Sequence, residues 1–147
     1  MARQNQKESI EKLVKTLKKW QGVEDDAIQS TTEIIKVSDN PLVHLVMEII
    51  RQDSAMHRRV QQMMVDHFET KPLTMNPDEL ADFWDLVETH IEIEKKTIAL
   101  AEELLDSTNS AFAQYLLDYL LTDEKKHDKL LDDMKKIKDK MYPYSGF

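Results

Sequence analysis

Residues 116–130 read LLDYLLTDEKKHDKL, and residues 46–60 read VMEIIRQDSAMHRRV. The two stretches are 70 positions apart, and each places an Asp and a His, four residues apart, among apolar residues. Apolar residues that recur at steps of three and four predict an amphipathic α-helix in each stretch. Charged residues inside a core-facing stripe break the local pattern, so each stretch is also a candidate functional site.

The same offset of 70 relates the two halves of the chain outside these stretches. The further identities are Glu24 with Glu94, Ile28 with Ile98 and Glu33 with Glu103 in the first helix of each half, and Met64 with Met134 in the second. Each half is therefore predicted to be a helical hairpin, over about residues 8–69 and 77–139. One hairpin cannot bury its apolar stripe alone. The sequence thus predicts an all-α, antiparallel four-helix bundle in one domain, residues 1–147.

The breaks between the predicted helices are polar or contain proline. They are Asn40-Pro41, Asn76-Pro77, residues 107–110 and, after the fourth helix, Pro143. An Asn before a Pro places a capping side chain next to a residue that suits the first helical position. Proline cannot continue a helix, so Pro143 is expected to end the last one.

The composition excludes several classes of site and partner. The chain has 147 residues, a formal net charge of -8 and no Cys. Without Cys there are no disulfides, thiolate zinc sites or Cys-ligated iron–sulfur centres. The acidic charge disfavours nucleic acid. No secretory signal or run of about 18 apolar residues is present, so we expect a cytoplasmic protein with no membrane partner.

The charged residues within the apolar stripes lie near one level of the predicted bundle. Each is about 15–18 residues from its hairpin turn, or about 22–27 Å along the helix. They are Glu24, His57, Glu94, Glu124 and His127. Burying several unpaired carboxylates is costly. A bound cation is the simplest way to offset that cost.

The segment DEKKH at residues 123–127 resembles the D-E-x-x-H segment of ferritin-like di-iron proteins, especially the rubrerythrin group. In that family, two helices each supply one Glu, and the other two each supply an E-x-x-H pair. The resemblance covers about residues 10–138. It implies a ferritin-like fold with a carboxylate-bridged metal centre.

The resemblance also implies a ligand set. Its members are Glu24, His57, Glu94, Glu124 and His127. Glu24 and Glu94 would be terminal ligands, and Glu124 would bridge. Ser54 stands where the family has its second E-x-x-H glutamate, so one carboxylate is missing. The centre is then asymmetric and dinuclear, mononuclear, or a relic of a former site.

Three further residues are possible additional ligands or orienting groups. His90 lies one turn before Glu94 and is either a substitute ligand or a packed, half-exposed histidine. Asp53 and Asp123 match the family's carboxylates that orient a ligating His through its other nitrogen.

The function implied by the resemblance is redox chemistry or iron handling, with oxygen or peroxide as the reactant. Carboxylate and imidazole ligands suit iron, and also manganese. A chain without Cys has no rubredoxin module, so an oxidoreductase of this type would need an external electron donor. The alternative is a non-enzymatic bundle that serves as an interaction or structural protein with a degenerate metal site.

The assembly of the bundle stays open at this point. Residues 70–76 span at most about 27 Å when extended, whereas a connection along the bundle would need about 44 Å. A crossover with unwound helix ends, an up-down-up-down bundle and hairpins exchanged between two chains are all compatible with this length. The long helices favour a homo-oligomer, with a dimer the first expectation.

Overall fold

The computed structural model describes residues 1–141, and this part of the chain has four α-helices and no β-strand. The helices are α1 (Ala2–Val37), α2 (Pro41–Glu69), α3 (Pro77–Ser107) and α4 (Ala111–Met141). The predicted all-α class and its four long helices are confirmed. Within the described residues, no helix combines the length and the apolar character needed to cross a bilayer.

Asparagine caps begin the second and third helices, as the sequence predicts. Oδ1 of Asn40 accepts a hydrogen bond from the backbone N–H of Leu42 at 2.9 Å. Oδ1 of Asn76 accepts one from the N–H of Asp78 at 3.0 Å. Each cap satisfies an N–H group that has no partner within the helix. Pro143, expected to end the fourth helix, lies outside the described residues.

The helices pack in consecutive pairs. α1 packs against α2 in hairpin 1, and α3 packs against α4 in hairpin 2. The segments 38–40 and 108–110 connect the helices of each pair. The hairpins correspond to two compact units, Met1–Thr74 and Met75–Phe147. The predicted repeat of helical hairpins is therefore confirmed, while their union in one domain stays a prediction.

Hairpin 1 has its apolar core where the first part of α1 meets the end of α2. Val14, Leu17 and Val65 are buried there, and Ile10 and Met64 pack against them. Burying one Val or Leu side chain contributes about 1.5–3 kcal/mol. This cluster therefore holds the two helices together at the end away from their turn.

Trp84 has the corresponding place in hairpin 2. The side chain is buried, and its Nε1 donates a hydrogen bond to Oε1 of Glu88 at 3.2 Å. Nζ of Lys138, on α4, lies 4.7 Å from the ring centroid. The indole N–H thus has an acceptor, and a cation–π contact joins α3 to α4.

Candidate metal centre

The middle of hairpin 2 brings together two glutamates and a histidine from facing helices. Glu94 lies on α3, and Glu124 and His127 lie three residues apart on α4. Residues three apart share a side of an α-helix, so both α4 side chains reach toward α3. One potential ligand atom from each residue lies within 4.8 Å of the other two. The structure therefore brings together three members of the predicted five-residue ligand set.

Glu94 is the buried member of this cluster, with 6% of its surface exposed. Its Oε1 lies 2.8 Å from Nε2 of His90 and 3.5 Å from Nδ1 of His127. Its Oε2 is buried and accepts no hydrogen bond from the described part of the chain while both glutamates are ionised. A buried polar atom without a partner costs about 1–3 kcal/mol, and more if it is charged. Oε2 is thus placed to accept a proton or a cation.

Thr97 of α3 holds the Glu124 side chain. The Thr97 hydroxyl donates toward Oε2 of Glu124 at 3.0 Å and toward the backbone oxygen of Glu94 at 2.8 Å. The same Oε2 lies 3.7 Å from Nδ1 of His127. The hydroxyl therefore fixes Glu124 on the side of α4 that faces Glu94.

The two glutamates titrate as a pair. A hydrogen bond with Glu124 lowers the pKa of Glu94, and His90 and His127 lower it further against the effect of burial. The same hydrogen bond raises the pKa of Glu124, and burial raises it further. Two adjacent carboxylates repel each other when both are ionised. A proton shared by the pair is therefore favoured on Glu124 over Glu94.

Asp123 lies beside the His127 ring. Nε2 of His127 lies 3.3 Å from Oδ2 of Asp123, whose other oxygen lies 2.6 Å from Nζ of Lys126. The other ring nitrogen, Nδ1, then faces the two glutamates. The resemblance assigns an orienting role to Asp123, and that role stays a prediction. Among the described residues, Asp53 forms no equivalent contact with His57.

His90 stands at the edge of the cluster. Its side chain is 55% exposed, and Nε2 contacts the Glu94 carboxylate at 2.8 Å. The structure thus agrees with a half-exposed histidine, and it also places a further nitrogen donor beside Glu94.

Hairpin 1 contains the other two predicted ligands. Nδ1 of His57 lies 3.4 Å from Oε1 of Glu24. The residue Glu24 is 7% exposed. Ser54, at the position equivalent to Glu124, is buried at 6% exposure. Hairpin 1 therefore has counterparts of Glu94 and His127, but it has no counterpart of the Glu124 carboxylate.

Two polar residues that contact candidate ligands were not predicted from the sequence. One is Thr97, described above, and the other is Gln61, whose Nε2 donates to Oε1 of Glu24 at 3.4 Å. Thr97 follows Glu94 by three residues, and Gln61 follows His57 by four. Both spacings place a residue on the same helix face as the candidate ligand. That spacing is the feature of the sequence from which both residues could have been predicted.

The comparisons with known proteins returned no relative. No family model, curated protein or solved structure matches the chain.

Proposed function

We propose that this chain is a non-haem metal protein that binds iron or manganese at Glu94, Glu124 and His127. The observation that carries the proposal is the buried Oε2 of Glu94, which has no hydrogen-bond donor when both glutamates are ionised. Two further donor residues lie within 4.8 Å of Glu94. A cation here would satisfy the oxygen and offset the repulsion between the two carboxylates.

The donor types and their spacing fit such an ion. Two carboxylates and one imidazole suit Fe(II), Fe(III) and Mn(II) better than Cu(I). Ligands bound at about 2.1 Å lie about 3.0–3.4 Å apart around one ion. The separations from Nδ1 of His127 are 3.5 Å to Oε1 of Glu94 and 3.7 Å to Oε2 of Glu124. Both are somewhat longer than that range, so these donors would have to move closer together to bind one ion.

The proposed activity is redox chemistry or iron handling, with oxygen or peroxide as the reactant. A bound iron or manganese ion would supply the one-electron chemistry. The protein's part is to hold the donors, with Asp123 fixing the His127 ring and Glu124 releasing its proton when the ion binds. The His127 side chain is 41% exposed, so an ion or a small reactant can approach from solvent. The chain has no Cys, so electrons would come from a separate donor.

Metal analysis tests the binding part of this proposal. The protein would be purified without chelator after supplementation with iron or manganese, beside the variants Glu124→Gln and His127→Ala. Glu92→Gln is the matched control, because Glu92 is an exposed α3 carboxylate paired with Lys95 at 3.2 Å. We expect metal in the wild type and the control and a large loss in both site variants. Wild-type occupancy below about 0.2 ions per chain would reject the proposal.

A second assay tests the redox part. The anaerobic Fe(II)-loaded protein would be mixed with oxygen or with hydrogen peroxide, and the appearance of ferric iron followed by absorbance. We expect oxidation faster than that of free Fe(II) under the same conditions, and no acceleration by Glu124→Gln. Binding without any acceleration would restrict the function to metal storage or structure.

A specific observation favours the alternative function, a non-enzymatic bundle with a degenerate site. Ser54 occupies a buried position where a second carboxylate would complete the repeat. The variant Ser54→Glu tests this register. If Ser54 stands where the second carboxylate would lie, the new carboxylate will raise metal occupancy. Unchanged occupancy would mean that the register is wrong.

The proposal includes a homodimer. Met56, Val60 and Met63 follow the i, i+4, i+7 spacing of one α2 face, and each is about half exposed, at 52%, 51% and 48%. Apolar residues at this spacing are typical of a helix face that packs on another helix. Light scattering is expected to give twice the chain mass for the wild type and a lower mass for Val60→Glu. A wild-type monomer at high concentration would exclude the dimer.

A further inference from the structure

The first three turns of α1 extend beyond the end of α2. α2 ends at Glu69, whose carboxylate pairs with Nζ of Lys18 at 3.1 Å. α1 continues past this contact to Ala2, and none of residues 2–13 is buried. These residues correspond to about 18 Å of helix. The side of α1 that packs on α2 elsewhere therefore has no partner helix within hairpin 1 at this end.

A groove with a volume of about 780 Å³ follows this side of α1, and we call it the α1 groove. It is lined by one side of α1 between Arg3 and Lys18 and by the last two residues of α2. Its apolar lining comes from Ile10, Val14 and Phe68. Val14 is 5% exposed, so part of this lining is recessed. The volume lies in the range of about 300–1,000 Å³ that is typical of small-molecule sites.

The rim of the α1 groove is basic. Four basic side chains line it, and they are Arg3, Lys7, Lys15 and Lys18. The two acidic residues of the lining are already paired, Glu11 with Lys7 at 3.9 Å and Glu69 with Lys18 at 3.1 Å. Arg3 and Lys15 form no ion pair within residues 1–141. The first twenty residues carry a net charge of +4 in a chain of net charge -8, so the groove is a local basic region.

The two ends of the α1 groove differ in their electrostatics. α1 begins beside Arg3 with no acidic residue in its first turn, so the positive end of its dipole lies there. α2 ends at Glu69, so the negative end of its dipole lies at the opposite end of the groove. An anionic group is therefore favoured beside Arg3, whose planar guanidinium can bind a carboxylate through two hydrogen bonds.

We propose that the α1 groove binds a long-chain fatty acid. The carboxylate pairs with Arg3, and the alkyl chain covers Ile10 and Val14 and ends at Phe68. Arg3 and Val14 are about 16 Å apart along α1, so only a long alkyl chain reaches from one to the other. Charge pairing at one end and apolar burial along the rest both favour this ligand. The inference concerns hairpin 1 alone and does not depend on the function proposed above.

The shape of the α1 groove favours a single amphiphile over a membrane surface or a partner helix. A helix that binds a bilayer projects its apolar side chains into it, whereas Val14 is buried beneath the basic rim. A partner helix 10–12 Å wide would occupy about 1,400–2,000 Å³ over 18 Å. The groove has about half that volume, which suits a ligand thinner than a helix.

Titration calorimetry of the full-length protein with laurate, below its micelle-forming concentration, tests the inference. Dodecylamine has the same chain length and the opposite charge, and butyrate has the same carboxylate without the long chain. We expect one laurate per chain, binding at least about tenfold weaker for dodecylamine, and none detectable for butyrate. The net charge of -8 would by itself favour the amine. Equal affinities for laurate and dodecylamine, or no saturable binding of laurate, would overturn the proposal.

A charge reversal at Arg3 locates the carboxylate. Arg3→Glu is expected to weaken laurate binding by at least about tenfold, because it places like charges together. Lys12→Glu is the matched control, because Lys12 is an exposed basic residue of α1 outside the groove lining. It changes the net charge by the same amount and is expected to leave the affinity unchanged. Equal losses in the two variants would show only a general charge effect and would contradict the site.

A polar substitution in the lining locates the alkyl chain. Ile10→Asn is expected to weaken laurate binding by at least about tenfold, because it removes apolar contact. Leu13→Asn is the control, because Leu13 is 43% exposed and lies outside the lining. If Ile10→Asn fails to fold by circular dichroism, Arg3→Glu still decides, since Arg3 is exposed. Unchanged affinity in a folded Ile10→Asn would overturn the proposal.

Two further measurements distinguish the other possible occupants. The protein is not expected to sediment with vesicles of phosphatidylcholine and phosphatidylglycerol. Sedimentation that Arg3→Glu abolishes would assign the groove to a membrane surface and overturn the fatty-acid site. Laurate is expected to leave the mass from light scattering unchanged. A dimer that laurate dissociates would instead assign the groove to a second copy of the chain.

Discussion

Nε2 of His127 lies 3.3 Å from Oδ2 of Asp123, one turn earlier on α4. The contact leaves Nδ1 directed at Glu94 and Glu124, at 3.5 Å and 3.7 Å. A histidine held at one nitrogen presents the other in a defined orientation, and it does so before any ion binds. The aspartate is therefore expected to determine the orientation in which His127 faces the two glutamates.

Asp123→Asn is expected to weaken metal binding in hairpin 2 by about 10–100-fold, since the amide is a poorer orienting partner for the imidazole. The measurement is the dissociation constant for Mn(II) by titration calorimetry. Asp132→Asn is the matched control, because Asp132 is an exposed α4 carboxylate whose partner is Lys136 at 3.0 Å. Equal affinities for the two variants would show that Asp123 has no orienting role.

The stability of the metal-free protein is expected to depend on pH through the glutamate pair. The raised pKa of Glu124 means that the folded state holds a proton the unfolded state has lost, so stability falls as the pH rises through that pKa. The lowered pKa of Glu94 acts oppositely, and its contribution is lost as the pH falls through it. Stability should therefore be greatest between the two pKa values.

Urea denaturation over a pH series, with chelator present, measures this dependence. Glu124→Gln carries no titrating group at that position, so the loss of stability above the raised pKa should disappear. Metal affinity should show the reverse trend in the wild type, rising with pH as Glu124 loses its proton. Superimposable pH profiles for wild type and variant would contradict the shared proton.

Thr97→Val is expected to destabilise the metal-free protein by about 1 kcal/mol, because it keeps the side-chain shape but removes the hydrogen bond to Glu124. Thr89→Val is the matched control, since the Thr89 hydroxyl is exposed and bonds only the backbone oxygen of Asp85, at 3.0 Å. The free energy of unfolding from urea curves gives the comparison. Equal losses in the two variants would assign the effect to helix propensity and not to Glu124.

Gly22→Ala is expected to stabilise the protein by about 1 kcal/mol, because glycine is a poor helix former in a helix interior. Gly22 is exposed within α1, and an added Cβ would meet no atom within 4 Å. Gly22→Pro should do the opposite and cost about 3 kcal/mol or more. Thermal and urea denaturation measure both changes, and a destabilising alanine would mean that α1 is not a continuous helix there.

The sequence by itself determined the helices, their breaks and the repeat. Apolar spacing and the caps at Asn40 and Asn76 are local properties. The caps decide where a helix begins, and the spacing of apolar residues decides which face is apolar. For the same reason, the sequence predicted which charged residues share a face with the core. Glu24 and Glu94 are both buried as that pattern requires.

Only the tertiary structure decided which of those side chains meet. Periodicity gives the face of a helix but not its rotation or axial position against its partner, and those depend on packing. The hydroxyl of Thr97 on α3 reaches Glu124 on α4, and the amide of Gln61 on α2 reaches Glu24 on α1, across such interfaces. The predicted five-residue set therefore becomes one cluster of three donors in hairpin 2 and a Glu–His pair, joined by an unpredicted glutamine, in hairpin 1.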